Sequence, residues 1–308
     1  VTNTNALVCV DHFGMAFGKK TIIRDLSFDI HAGETFGLLG SNGSGKTTTI
    51  RALLGIYQPT QGSLQINGHP FRPESEIKLG YLPEERGLYK KEPVIDVMIY
   101  FGKLKGLTRG FAHKWSLDYL ERVGLVDKAK ISVDKLSSGE QQKVQLGVTI
   151  MANPELLILD EPTKGFDPVN RRLLMNLIDD QKKLGSTVLM VTHQMEEVER
   201  LCDRIILLRD GVSRAYGTVK EVQEEFGNTM IYIEYQGQIP RSDQYKVIED
   251  DGSYTKLEVA SGADSAKILQ KLMQAGVSVS KFTPTPKSLD DIFVEIYGDE
   301  DIRVAVKT

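Results

Sequence analysis

Eight consecutive residues, Gly40-Ser41-Asn42-Gly43-Ser44-Gly45-Lys46-Thr47, follow the spacing G-x-x-x-x-G-K-[ST]. They lie after the apolar run Phe36 to Leu39, which reads as a strand, and before a helix-forming stretch from Thr47 to Leu54. Glycines let such a backbone curl until successive N–H groups point inward at phosphate oxygens. The helix N-terminus adds the positive end of its dipole. Lys46 is placed to reach β- and γ-phosphates and the Thr47 hydroxyl to ligate Mg²⁺, with Thr48 counted in the same cradle. A glycine-rich turn arising by chance would lack the strand before it and the helix after it.

A second signal is Leu156-Leu157-Ile158-Leu159-Asp160-Glu161. A buried strand that ends in Asp sets one carboxylate beside a phosphate-bound metal, and Glu161 can then accept a proton from an attacking water. Alone this pattern is weak, because strands often exit into charged loops. It gains force from the phosphate loop upstream. Leu156 to Leu159 also belongs to a set with Val188-Leu189-Met190-Val191 and Ile205-Ile206-Leu207-Leu208. These tetrads are short, non-alternating and bounded by charges or turn residues, as parallel strands buried on both faces are. Between them Pro168 to Leu184 carries Leu173, Leu174, Leu177 and Ile178 at helical spacing, so the expectation is a layered α/β sheet.

Elsewhere Val8 to Phe13, Thr21 to Ile30 and Gly33 to Leu39 read as strands, and Pro93 to Lys130 as helix ending near Gly124 and resuming toward Leu136. Composition changes near Gly227. Beyond it Met230 to Tyr235 and Tyr254 to Ala260 read as strands, with a turn at Asp250-Asp251-Gly252, and Ala263 to Ala275 and Ser288 to Tyr297 as amphipathic helices. Phe293 and Tyr297 are expected in the core of that smaller domain rather than in a ligand site. The 308 residues accommodate two such domains at roughly 100–200 residues each.

With 38 basic against 42 acidic residues, the net charge of −4 offers no bulk field for nucleic acid. Cys9 and Cys202 stand far apart in no metal-ligand pattern, which suits a reducing cytosol better than a disulfide scaffold. No apolar run approaches the roughly 20 residues of a spanning helix. Val1-Thr2-Asn3-Thr4-Asn5 carries no signal-peptide core. A membrane role is therefore expected to depend on a partner.

Leu136-Ser137-Ser138-Gly139-Glu140-Gln141-Gln142-Lys143 closely resembles the L-S-G-G-Q signature of ATP-binding cassette (ABC) proteins, and it precedes Asp160 as that family places it. Further matches follow in family order. Phe17 stands where an aromatic stacks on adenine, and Tyr81-Leu82-Pro83-Glu84 at the Q-loop. Gly165-Phe166-Asp167-Pro168 is similar to the D-loop, and Thr192-His193 to the switch histidine. The resemblance covers about residues 6 to 225.

It implies an ABC-type P-loop ATPase in residues 1–225, with an N-terminal antiparallel β subdomain and a helical insert at about 90–150. Residues 226–308 form a small α+β accessory domain. It further implies a head-to-tail dimer that sandwiches two ATP molecules. Ser137 and Gly139 of one subunit would then face the other's phosphate loop, with Asp167 nearby. Glu161 is the expected base and His193 a γ-phosphate contact, with Thr47, Asp160 and Glu84 around Mg²⁺.

Three departures from the family pattern involve four residues. Glu84 stands where glutamine is usual, with Glu85 adjacent, so either could take the Q-loop role. Ser138 and Glu140 replace signature residues, and Lys164 replaces a common serine before the D-loop. An anion at the Q-loop would repel phosphate more than an amide does. The stretch Tyr81 to Tyr89 and the appended domain resemble ATPase subunits of ABC-2-type exporters, including the sodium-exporter-like group.

The expected function is thus a cytosolic Mg²⁺-ATPase docked on separately encoded membrane subunits at the cytoplasmic face. Two alternatives stand beside it. Soluble cassette ATPases acting on ribosomes or DNA usually carry two cassettes or a coiled-coil insert, and this sequence has one cassette and no heptad insert. A non-enzymatic ATP sensor would not need the intact Glu161 and His193.

Overall fold

The computed structural model describes residues 6–72, 75–85, 87–227, 229–260 and 262–305. The opening pentapeptide and Arg86 of the Q-loop stretch lie outside the described residues. Two compact units, Val1–Tyr216 and Gly217–Thr308, divide the chain.

In the first unit β1 (Ala6–Phe17), β2 (Lys20–His31) and β3 (Thr35–Gly40) lead into α1 (Lys46–Leu53), β4 (Gln61–Ile66) and β5 (Leu79–Leu82). The helices α2 (Val94–Leu104), α3 (Arg109–Arg122) and α4 (Ser138–Ile150) follow. The helix expected from Pro93 onward is broken at Gly106, whose φ of 83° is left-handed. Thr108 then caps α3 by accepting from the Phe111 N–H. Next come β6 (Leu156–Asp160), α5 (Pro168–Lys183), β7 (Thr187–Val191), α6 (Met195–Leu201), β8 (Arg204–Arg209) and β9 (Val212–Thr218).

These nine strands form one sheet in the order β4-β1-β2-β9-β8-β3-β7-β6-β5. Strands β4, β1 and β2 pair antiparallel, and β8, β3, β7, β6 and β5 pair parallel. The two parts meet through a single parallel bridge, Asp25 to Val212. Every residue of β3, β6 and β7 is buried. Leu157 and Leu159 pack into a cluster with α2, α4 and α5, whereas Leu156 and Ile158 pack into one with β1, β2 and α1. The period of two along β6 is thus apolar on both faces, which explains the unbroken tetrads.

Register fixes the position of the site. Leu82 lies beside Leu159, Asp160 beside Val191, Leu38 beside Val191, and Gly40 beside Leu208. The parallel strands end together, so the loops after β3, β5, β6 and β7 leave from one edge. That carboxyl edge is where open α/β sheets bind ligands.

The second unit opens with α7 (Val219–Glu225), whose capping box is built by Thr218 and Glu221. Strands β10 (Met230–Gln236), β11 (Tyr245–Asp250) and β12 (Tyr254–Val259), helix α8 (Ser265–Gln274), strand β13 (Ser278–Thr285) and helix α9 (Leu289–Ala305) complete it. Its antiparallel sheet runs β11-β12-β10-β13. Ile231, Ile233, Leu257, Ile268 and Leu272 form its core. Tyr297 is buried against Phe293, with ring centroids 4.3 Å apart.

Helix α4 is fitted to its neighbours at Gly147. A Cβ there would lie 2.3 Å from Cε1 of the buried Tyr119, whose hydroxyl donates to the Lys143 carbonyl at 2.7 Å. Gly147→Ala should therefore destabilise the chain by about 1–3 kcal/mol in denaturant unfolding, although Ala in a helix interior ordinarily gains close to 1 kcal/mol over Gly. A gain in stability would contradict this packing.

Candidate functional site

The loop between β3 and α1 is shaped by positions that exclude a side chain. A Cβ on Gly40 would meet Ser44 Oγ at 2.4 Å and the Leu208 carbonyl at 2.7 Å. Gly45, with φ of 109°, would push a Cβ to 2.2 Å from Ile23 Cδ1. Asn42 and Gly43 form the exposed tip. The Lys46 ammonium turns back into the loop and donates to the carbonyls of Gly40 at 2.7 Å and Ser41 at 2.9 Å. Burial lowers its pKa, and the charges of Glu161, Asp160 and Glu84 oppose that drop. Ser44 Oγ is buried with no hydrogen-bond partner among the described residues. An unpaired hydroxyl beside a buried cation fits a loop made for an anion. Thr47 and Thr48 are half-buried in the first turn of α1, behind which Thr49 Oγ1 donates to the Gly45 carbonyl.

Three carboxylates share the same edge. Asp160, the last residue of β6, is pushed up to about 6, by burial first and then by the charges of Glu84 and Glu161. Glu161 has φ of 51°, a left-handed conformation uncommon for a residue with a side chain. Its N–H donates to the Val191 carbonyl at 2.8 Å, and its Oε1 lies 2.8 Å from His193 Nδ1. With a carboxylate accepting, Nδ1 carries a hydrogen, and Nε2 donates only when it carries one as well. Glu84 is held by Lys164, Nζ to Oε1 at 2.6 Å. Glu85 contributes its carbonyl, which accepts from Gln145 Nε2 at 3.3 Å.

Among the described residues no group of three or more His, Cys, Asp or Glu is arranged to hold a metal. The Thr47 hydroxyl and Asp160 carboxylate instead offer two hard oxygens beside the phosphate cradle. Such a donor set suits Mg²⁺, which commonly binds through one or two protein oxygens, phosphate and water.

The remaining sequence-derived residues occupy other elements. Ser137 caps α4 in a reciprocal box with Glu140, which also pairs with Lys128 at 2.5 Å, so the glutamate in the signature has a structural role. Gly139 has room for the Phe166 ring, 3.3 Å from where a Cβ would lie. Asp167 caps α5, accepting from the Val169 and Asn170 N–H groups at 3.0 Å each. Among the described residues, none of these hydrogen bonds reaches the cradle. Phe17 is 46% exposed and meets Tyr57 edge-on at 5.2 Å. Tyr57 in turn accepts from Arg51 Nη1 at 3.1 Å.

Sequence reading missed the ties that hold these loops. Gln142 Nε2 donates to the Pro162 carbonyl at 3.1 Å, and Gln145 holds the Glu85 carbonyl. The buried Glu197 accepts from the Thr163 hydroxyl and lies 3.7 Å from Arg171 Nε. The visible signal was the pair of glutamines three apart, Gln142 and Gln145, both buried in the helix.

Residues 23–164 match the ABC transporter family, and residues 217–297 match the C-terminal domain of DrrA1-3-like ATP-binding proteins. The uncharacterized ABC transporter ATP-binding protein YhaQ of Bacillus subtilis is 37% identical, over 95% of this chain and 99% of its own. The chain belongs to the ATP-binding proteins of ABC transporters. These proteins are ATPases, and the chain binds ATP as a member of that family. The Nod factor export ATP-binding protein I of Burkholderia lata is 31% identical over 92% of this chain and 94% of its own. A solved structure titled an ATP binding subunit of an ABC transporter superposes with a TM-score of 0.66 at 27% identity, covering 71% of this chain and 93% of that one. In this ABC ATP-binding protein no helix among the described residues is long and apolar enough to cross a membrane.

Asp160 makes the ATP-free site costly. An acid raised from an ordinary 3.8 to about 6 loses stability on ionising, so the cost grows as pH rises from about 4 to about 6 and is complete above that. Asp160→Asn should therefore raise the unfolding temperature of the ATP-free protein at pH 8, by the equivalent of about 1–3 kcal/mol, with the margin closing toward pH 4. An unfolding temperature equal to wild type at pH 8 would contradict the charge crowding described.

Proposed function

We propose that this ABC ATP-binding protein powers an exporter, hydrolysing ATP at the carboxyl edge of its sheet with Glu161 as general base. The observation that carries the proposal is the contact between Glu161 and His193 beside the Lys46 cradle, with Glu161 held in a left-handed turn. ATP would lie with its phosphates in the loop of Gly40 to Thr48 and its adenine against the exposed face of Phe17. The ammonium of Lys46 would exchange its carbonyl partners for β- and γ-phosphate oxygens. Mg²⁺, held by Thr47 and Asp160, would supply charge neutralisation at those oxygens.

Water attacks the γ-phosphorus as the bond to the β–γ bridging oxygen breaks, and its proton passes to the Glu161 carboxylate. The products are ADP and phosphate. His193 would hold Glu161 in place through Nδ1–H, and a ring carrying both hydrogens would also donate through Nε2–H to a γ-phosphate oxygen. Ser137, Gly139 and Asp167, which bond only locally in one chain, would act across a head-to-tail dimer. There the start of α4, with the Gly139 N–H, faces the partner's nucleotide. Separately encoded membrane subunits would couple closure and reset of that dimer to export, with this subunit on the cytoplasmic face. The export reading is supported by relatives such as the Nod factor export protein. No observation favours a soluble, uncoupled ATPase.

Glu161→Gln keeps the size of the base while removing its proton acceptor. Hydrolysis should fall by about 10²–10⁴-fold. ATP binding should persist or tighten, because one anion beside the γ-phosphate is gone. Light scattering should then show an ATP-bound dimer that persists in the variant and decays in wild type as ATP is consumed. Near-wild-type turnover would remove Glu161 from the role of base.

A further inference from the structure

Two positions that depart from the family pattern, Glu84 and Lys164, meet in the fold. Glu84 stands two residues beyond the end of β5 and Lys164 four beyond the end of β6, and these strands are neighbours with Leu82 beside Leu159. Their loops leave the same edge, and the Lys164 ammonium closes on Glu84 Oε1 at 2.6 Å. The Lys164 and Glu84 side chains are 58% and 46% exposed, so solvent screens the pair and it adds little to folding stability.

The charge is placed where it matters for ATP. Glu84 acts electrostatically on both Asp160 and Lys46. A bare carboxylate there would be a third anion facing a polyanionic substrate, with Lys46 as the buried cation in the cradle.

We infer that Lys164 is a positioning residue for ATP: by pairing with Glu84 it cancels the carboxylate that this Q-loop carries in place of an amide, and the two residues act as one unit in nucleotide binding. The inference rests on the ATP site assigned above. Lys164 acts through Glu84 and not by touching phosphate, which separates it from Lys46. The arrangement also answers which of the adjacent glutamates faces the site. Glu84 presents its side chain there under the control of Lys164, while Glu85 is used through its backbone carbonyl.

A double-mutant cycle on the full chain tests this, read as equilibrium ATP binding in EDTA so that no metal contributes. Lys164→Met should weaken ATP binding by about three- to tenfold, more at low than at high ionic strength. Lys164→Arg should restore it. In the Glu84→Gln background Lys164→Met should change affinity by less than about twofold, because no charge remains to cancel. In steady state Lys164→Met should raise KM more than it lowers kcat, and unfolding temperatures of all variants should stay near wild type. Equal losses from Lys164→Met in both backgrounds would mean that Lys164 touches the nucleotide directly, and would overturn the inference. So would wild-type affinity in Lys164→Met alone. If Lys46→Met also bound ATP like wild type, the site itself would be wrongly placed, and the inference would fall with it.

Discussion

The Lys46 ammonium, folded back onto the Gly40 and Ser41 carbonyls, is the interaction around which the site is organised. A buried cation needs compensation, and here it comes from two loop carbonyls and from carboxylates on neighbouring strands. Those carboxylates are present because β3, β7, β6 and β5 are parallel and end in register. Burying both faces of the central strands and gathering the Gly40 to Thr47 loop, Asp160, Glu161 and His193 at one edge are consequences of one topology. Glu84, Asp160 and Glu161 gather beside that cation, and burial first, then the charges of Glu84 and Glu161, raises Asp160. In the proposed function a phosphate-bound cation would offset those charges while the phosphates satisfy Lys46 and Ser44.

Around this centre the loops are tied by polar side chains from helices. Gln142 and Gln145 of α4 hold the loops after β6 and β5, and Glu197 of α6 holds Thr163. Helix α4 begins at the Ser137 cap, so the segment implied to face a partner's ATP is built into the same rod that positions the Q-loop and the turn after Glu161. A displacement of α4 would be felt at both loops, because packed elements transmit shifts as rigid bodies. The left-handed turn at Glu161 belongs to this scheme. Backbone strain at that residue is tolerated because its N–H is paired with the Val191 carbonyl and its carboxylate with His193.

Much of this was legible in the residues. Apolar tetrads signalled buried parallel strands, and the glycine loop together with the Asp160-Glu161 strand end named the phosphate side. Strands β11 and β13 were not legible, for a physical reason. They are the two edges of the second sheet, β11 exposing Lys246 to Asp250 and β13 carrying Pro284, so neither shows the apolar pattern of a paired interior strand. Strand β4 begins at the exposed Gln61 and Gly62, opposite a bulge in β1 between Asp11 and Gly14, a start that hides its Leu64 and Ile66. Types and spacing singled out Lys46, Asp160, Glu161 and His193, and the fold brings these four to one edge of the sheet. Sequence could not show that Glu84 meets Lys164 or that Gln145 takes the Glu85 carbonyl, because those contacts depend on loops brought together only by strand register. Nor could spacing show the positive φ at Glu161.

The central claim is that the carboxyl edge of the sheet holds an electrostatic excess matched to a phosphate and its cation together. Thermal unfolding of the purified chain with ATP, with Mg²⁺, and with both measures this directly. The account predicts that ATP with Mg²⁺ raises the unfolding temperature by more than the sum of the two separate effects, with a stabilisation of about 2.7 kcal/mol at a hundredfold excess over Kd. It also predicts that Lys46→Met abolishes that gain. An unfolding temperature that ATP and Mg²⁺ together leave unchanged, or a gain that survives Lys46→Met, would contradict it.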